Sequence, residues 1–330
     1  MPSMYEVNQV GKLQEILPAV FNIDPELTPL LSWLATGKKP ENSLMTWQAE
    51  VYPDVASTGV LDGTPATSPK RIDRELLTGC VQHFRQEWGV TKRANLTSVA
   101  GIAEEAGHQR MAAMLQLKWQ MEQQFLSATD SSVESGATPW TTRGALEWLK
   151  ASAQTNHPVP ASLRPAAAAL YTGAFASLSE TAFRTLLETA SLAKKGTVTL
   201  AGFVGLTLKA TLDDFTNVFP TSSTAPRTVY QVRDNNQYLN SVDVLVFSAG
   251  SVTLAVSHHV GRTTSTGAKG TYSDKSGVFL DKSMWDVGYM QKPSNTNLAE
   301  DGSGPHGFID AFAGLRCKNP LGQVKVAPTS

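Results

Sequence analysis

The chain has 330 residues, with 28 Lys and Arg against 29 Asp and Glu, for a formal net charge of −1. The 41% hydrophobic content excludes global disorder, and near-neutrality excludes a globally basic nucleic-acid binder. Charged residues make up 17%, below the roughly 25% usual for soluble proteins, which tilts the reading toward a surface covered by partners. Two cysteines, Cys80 and Cys317, do not make a disulfide framework. No run of about 18 apolar residues predicts a membrane span, and the first dozen residues lack the basic-then-apolar order of a secretory signal.

Residues 1–43 read as an arm, with a short helix over 13–21 and a second over 29–34 opened by Pro29, a residue suited to the first helical position. Residues 44–52 alternate: Met45, Trp47, Ala49 and Val51 face one way, and Thr46, Gln48, Glu50 and Tyr52 the other. That is the period of a half-buried strand. A polar, Gly- and Pro-bearing stretch over 53–70 leads to a second strand-like run over 71–90. The two predict a long hairpin that needs support from elsewhere, since an isolated hairpin is marginal. Thr97 and Ser98 offer helix caps, with Glu104 and Glu105 in the early turns. Ile102, Ala106, Met114, Leu117, Met121 and Phe125 keep near-helical spacing, so one helix over 99–128, about 45 Å long, is expected.

Residues 129–139 are rich in Ser, Gly and Thr and read as a linker. Helices are expected over 142–153, 162–176 and 179–194, the last stopped at Lys195–Gly196. The apolar run 198–208 is compatible with strand or helix, and 220–226 is a loop. From Thr228 the chain turns to β: strands over 242–247 and 252–257 around a turn at 248–250, a loop over 263–270, then strands over 278–280, 285–290 and 308–318.

The sequence contains no phosphate loop, dinucleotide fingerprint, HExxH, GxSxG or CxxC. His258 and His259 are adjacent, so on a strand they face opposite sides and are poorly placed to share a metal. Cys80 and His83 are three apart and would also diverge on one strand, which favours a buried structural thiol over a nucleophile. His108 one turn after Glu104, and the pair Asp213–Asp214, read as solvated helix positions. Lys70, Arg71 and Arg74 form a small basic cluster at the end of the hairpin, suited to an acidic patch on a neighbour or to plain solvation. No cofactor, metal or catalytic residue is expected.

The order of these features resembles a known family. It is carried by residues 25–31 (PELTPLL) before Met45-Thr46-Trp47-Gln48, by Ala100-Gly101-Ile102 opening a helix that runs through Gln109, Leu117 and Met121, by residues 143–149 (RGALEWL), and by residues 242–250 (VDVLVFSAG). In this order and spacing the chain resembles the tailed-phage major capsid proteins of the Hong Kong 97-type fold, within the group typified by the major head protein of phage SU-ten. The last run departs from that group, with Ala249 where an Asp-Phe pair would be expected.

The resemblance implies an α+β capsid fold. Residues 1–43 would be an N-terminal arm lying across a neighbour, and 44–90 an extended E-loop hairpin. The spine helix of the P-domain would occupy 91–139, most of the A-domain 140–240, and return strands of both domains 241–330. It further implies hexamers and pentamers tiling an icosahedral shell around double-stranded DNA held without sequence specificity, in a virion assembled in the bacterial cytoplasm. The partners would be the chain itself with portal, scaffold and decoration proteins, and no membrane. Trp47, Lys70, Arg71 and Arg74 are the expected inter-subunit contacts. An encapsulin-like nanocompartment of the same fold and a two-domain α+β enzyme are the alternatives.

Overall fold

The computed structural model describes residues 28–50, 52, 59–65, 72, 74–97, 102, 104–217, 243–260, 274–299, 302 and 304–329. The helix expected over 13–21, the loops 220–226 and 263–270, and the residues Lys70 and Arg71 lie outside them.

Pro29 opens a short helix, α1 (Pro29–Trp33), followed by the two-residue strand β1 (Ala35–Thr36). Strand β2 (Leu44–Glu50) shows the expected alternation, with Met45 buried and Leu44, Thr46 and Gln48 exposed. The run over 71–90 is two strands. β3 (Arg74–Cys80) pairs antiparallel with β2, from Leu44 opposite Cys80 to Glu50 opposite Arg74. At buried Val81 the chain leaves that pairing, and β4 (Gln82–Gly89) enters a different sheet. The hairpin is therefore confined to β2 and β3.

The expected helix start at Thr97–Ser98 is corrected. Thr91 caps a five-residue helix, α2 (Lys92–Leu96), and Thr97 ends it with extended backbone. The long helix α3 (Glu105–Phe125) has 21 residues, about 31 Å, because Glu104 is extended and Leu126 leaves helical geometry. Ala106, Ala113, Leu117, Met121 and Phe125 form its buried face.

The expected linker 129–139 is folded, with bridges between Ser132 and Thr141 and between Ser135 and Thr138. Over 142–153 the helix is a single turn, α4 (Ala145–Trp148). Side chains capture its last carbonyls: Lys325 Nζ donates to Leu146 O, and Gln154 Nε2 to Glu147 O. Over 162–176 Pro165 has no donor to give, and the chain makes 3-10 turns at Ala161–Leu163, Ala167–Ala169 and Phe175–Ser177 around β5 (Leu170–Tyr171). Helix α5 (Glu180–Lys194) forms as expected, with the Ser179 hydroxyl accepting from Ala182 N and Lys195 in the left-handed region closing it.

The apolar run 198–208 is both structures in turn: strand β6 (Val198–Val204), then helix α6 (Leu206–Asn217). They divide at Gly205, where a Cβ would sit 2.3 Å from the backbone of Asp274. Strands β7 (Val244–Phe247) and β8 (Gly250–Val256) enclose the Ser248–Ala249 turn. Then come β9 (Gly277–Leu280), β10 (Trp285–Asn297), β11 (His306–Cys317) and β12 (Val324–Val326). β10 is twice its expected length, because register shifts after Tyr289 and Gln291 interrupt the alternation that marks a strand in sequence.

These elements make two sheets with a core each, besides the hairpin. The four-stranded sheet has the order β1-β10-β11-β4 and packs against α3, where Phe84 meets Phe125 edge-on at 6.0 Å. The six-stranded sheet has the order β5-β12-β9-β6-β8-β7, with α5 and α6 packed around Phe183, Leu187 and Leu208. The second core thus draws on residues 170–217, 244–256, 277–280 and 324–326 together, so no single cut of the chain separates the two.

Candidate assembly surface

The hairpin is fastened to its own chain along one face and open on the other. Met45 is buried against Gly288 and Gly314; a Cβ at Gly314 would lie 2.4 Å from the Met45 methyl carbon and 2.7 Å from Cys80 O. Leu77 is buried beside it. The Trp47 indole N–H donates to Cys317 O at 3.0 Å, and its ring lies 5.8 Å from that of Trp148. Two polar contacts steady the margins: the Ser162 hydroxyl on Glu75 at 3.3 Å and Lys195 Nζ on Tyr52 O at 3.5 Å.

Trp148 is itself held by a buried cation. Arg143 is 1% exposed and lies over the Trp148 ring at 4.6 Å. It donates to Asp130 at 2.8 Å, Ser131 Oγ at 3.2 Å and His157 O at 2.9 Å, and also to Asn156 O. Burial pushes the Asp130 carboxyl up, but the Asn156 N–H and the Arg143 charge outweigh it and hold the group below the usual carboxylate range.

The open side of the hairpin carries exposed apolar side chains among polar ones such as Thr46 and Gln48. Leu44, Leu76, Tyr52 and Ile72 are exposed, and Val60 and Leu61 in the connecting stretch are 79% and 84% exposed. Burying a large apolar side chain contributes about 1.5–3 kcal/mol, so together these side chains form a surface that favours a covering partner.

Of the four contact residues expected from sequence, Trp47 points inward to its own chain, and Arg74 pairs across the hairpin with Glu50 at 2.7 Å. That pair is well exposed and contributes little by itself. The outward residues were legible in principle. Leu44 and Leu76 occupy the strand phase opposite to Met45 and Leu77, and Val60-Leu61 is an apolar pair in a polar stretch.

The other candidates resolve as structure. Cys80 and His83 lie on different strands; Cys80 and Cys317 are buried free thiols, each pushed up by burial. His83 stacks on Phe312 at 4.2 Å and lies 3.4 Å from Asp310. His259 is buried in the turn after β8, and Asp213 is ion-paired to Lys209 at 2.5 Å inside α6. Among the described residues no group of three or more His, Cys, Asp or Glu could hold a metal ion, and no helix is long and apolar enough to cross a membrane.

One buried acid stands out. Glu122 on α3 is fully buried and accepts from Leu30 N at 2.9 Å and Leu31 N at 2.7 Å, binding the amino end of α1. Burial pushes its carboxyl up to about 7 against the lowering effect of those amides and of Ser257. The described end of the arm, from Thr28 to Thr36, therefore lies on its own chain, with β1 added parallel to β10.

No curated protein sequence matches the chain. Solved structures do. The capsid of cyanophage Pam1 aligns with a TM-score of 0.61 at 12% identity, covering 98% of this chain and 97% of that one. The capsid of cyanophage P-SCSP1u gives 0.60 at 10% identity, covering 96% and 93%. The capsid of a native GTA particle gives 0.59 at 11% identity, covering 98% and 97%. At such identities the likeness is one of fold, the mixed helix-and-sheet Hong Kong 97-type capsid fold. The profile of the SU10 major capsid protein family matches residues 4–329. A match over nearly the whole sequence, on a chain folded as phage capsid subunits are, means that this protein belongs to the SU10 major capsid protein family.

Proposed function

We propose that this capsid protein forms hexamers and pentamers that tile an icosahedral shell around double-stranded DNA, each subunit laying its β2–β3 hairpin over a neighbour. As a member of its family it is a structural protein of the virion capsid of a tailed phage, self-assembling and not an enzyme. The observation that carries the finer reading is the open face of the hairpin, with Leu44, Tyr52, Val60, Leu61, Ile72 and Leu76 turned to solvent while the opposite face is buried in the chain's own core. Subunit interfaces have cores depleted in charge, which fits a chain with 17% charged residues. A net charge of −1 suits a shell that does not grip its genome.

In this reading the four-stranded sheet with α3 is the P-domain, the six-stranded sheet with α5 and α6 the A-domain around capsomer centres, and β2–β3 the E-loop. The basic residues Lys70, Arg71 and Arg74 near the hairpin strand end meet acidic groups of the neighbour. Portal, scaffold and decoration proteins complete the particle, which is assembled in the host bacterial cytoplasm.

The test is a double variant, Val60→Asp with Leu61→Asp, compared with the parent by sedimentation and negative-stain electron microscopy, with scaffold protein supplied. The parent is expected to close into shells containing nuclease-protected DNA when made in infected cells. The variant, with an unchanged melting temperature, is expected to remain as free subunits or open capsomers. Shells of normal size and yield from the variant would remove the hairpin from the assembly contact. Parent particles filled with protein instead of DNA would overturn the genome-shell reading.

A further inference from the structure

A cavity of about 380 Å³ opens where α2 and α3 meet the ends of β10 and β11, a size within the range of ligand clefts. Trp88 lines it, with its indole N–H donated to Asn295 Oδ1 at 2.8 Å. Leu96 and Leu298 line it too, although they are 78% and 43% exposed. Lys92 and Arg110 supply two cations. Arg110 lies 5.5 Å from the centroid of the Trp88 ring and 3.6 Å from Glu104, the one acid among the described lining residues. Helix α2, which carries Lys92 and Leu96, buries none of its five residues, so its own chain stabilises it little.

We propose that this cleft receives the hairpin tip, residues 59–65, of a second copy of the chain, with Asp62 set against Lys92 and Arg110 and the Val60–Leu61 pair against Leu96 and Leu298. The inference rests on the shell reading above and names the receiving site on the neighbour. The chemistry of the two surfaces is complementary. The tip offers two bare aliphatic side chains, and Asp62 is the only charged residue among 59–65. The cleft offers bare aliphatic side chains beside an excess of positive charge. The tip is also pre-shaped. Thr64 N donates to Leu61 O at 3.2 Å and Gly63 takes a φ of 79°, so a tight turn holds Asp62 at its apex and docking has little backbone left to order.

The fold sets tip and cleft at opposite ends of one subunit. Met45 lies against Gly314 and Trp47 bonds to Cys317 O, so β2 advances toward the carboxyl end of β11. Glu50 continues past that end, where it lines a separate cleft with Lys194 and Asn319. The cavity that we assign to the tip stands instead at His306, eleven residues back from Cys317, about 37 Å along an extended strand. Tip and cleft are therefore placed to meet between copies. Each subunit carries one of each, so the contact is heterologous: a subunit that gives its tip to one neighbour still has a cleft for the next, which is how rings and shells propagate.

The experiment is a charge swap, read as the yield of closed shells by sedimentation and negative-stain electron microscopy, with scaffold protein supplied. Asp62 and Lys92 are both exposed, so Asp62→Lys and Lys92→Glu are each expected to keep the parental melting temperature. Each single change sets like charges against each other and should lower shell yield about tenfold. The double variant restores opposite charges and should recover to within about twofold of the parent. Normal yield from either single variant, or a double variant no better than the singles, would overturn the proposal.

A second measurement locates the contact directly. Leu61→Cys with Leu96→Cys is oxidised with copper-phenanthroline in assembled particles; the native Cys80 and Cys317 are buried and do not compete. The expected product is a disulfide joining position 61 of one chain to position 96 of another. The control pair, Leu61→Cys with Leu192→Cys on the exposed side of α5, is expected to give none. Closed shells without the 61–96 link, or with that link only inside single chains, would overturn this proposal and leave the shell reading standing. A parent protein that forms no shells would remove that reading and this proposal with it.

Discussion

Arg143 and Glu122 are both buried charges, and their surroundings treat them oppositely. Arg143 has an ion partner, several oxygen acceptors and an aromatic face, so its charge is compensated where it lies. Removing it strands Asp130, and Arg143→Met should lower unfolding stability by about 3–5 kcal/mol in urea titration. Glu122 is held by two amides and the Ser257 side chain, all neutral donors, and burial raises it from the ordinary 4.5 to about 7. A carboxyl with a raised folded-state value binds more protons folded than unfolded between those limits. Its effect on stability is therefore most favourable below about pH 4.5 and is lost as pH rises toward 7. The wild type should accordingly gain on Glu122→Gln as pH falls from 7.5 to 5, by up to about 1.4 kcal/mol per pH unit. Paired thermal melts across that range check it; parallel pH curves for the two proteins would contradict the assignment.

At the scale of elements, the hairpin shows how much a local pattern can say. β2 was legible because its two faces meet different surroundings, core on one side and solvent on the other, and that difference writes a period of two into the residues. Its base contact through Trp47 was not legible, because Cys317 lies 270 positions away. Trp47→Phe keeps the ring and deletes the bond to Cys317 O, at a cost of about 1 kcal/mol. Amide exchange should quicken in β2 and β3 and stay unchanged in β4, which belongs to another sheet. The division of 71–90 at Val81 was missed for a related reason. Both strands have inward-facing apolar residues, and only the identity of their partners, β2 for one and β11 for the other, separates them. The helix expected over 142–153 failed because side chains, distant Lys325 and nearby Gln154, take carbonyls that the next turn would have used.

For the whole molecule, order along the chain was readable and membership of the two cores was not. A β-region after residue 228 follows from composition. That β12 would insert between β5 and β9, and β1 beside β10, follows only from the assembled sheets. The outward hairpin residues share part of this limit: strand phase sets Leu44 and Leu76 opposite Met45 and Leu77, but which of the two faces meets the core follows only from the structure. Val326, fully buried in the six-stranded sheet, supplies a test at this scale. Val326→Asp places an unpaired charge in the second core and should abolish assembly in sedimentation, whereas the same change at exposed Val246 should leave the subunit folded.

The position of β12 also sets a clock. Synthesis runs at roughly 5–20 residues per second and folds amino-terminal parts first. Yet β5 and β9 cannot be joined until Val324–Val326 has cleared the ribosome, and β4 waits for β11. A nascent subunit without β12 thus has its six-stranded sheet interrupted between β5 and β9. Chains released before β12 is made would lack the strand that joins β5 to β9, and the apolar faces of the second core would stay open to solvent and to proteases.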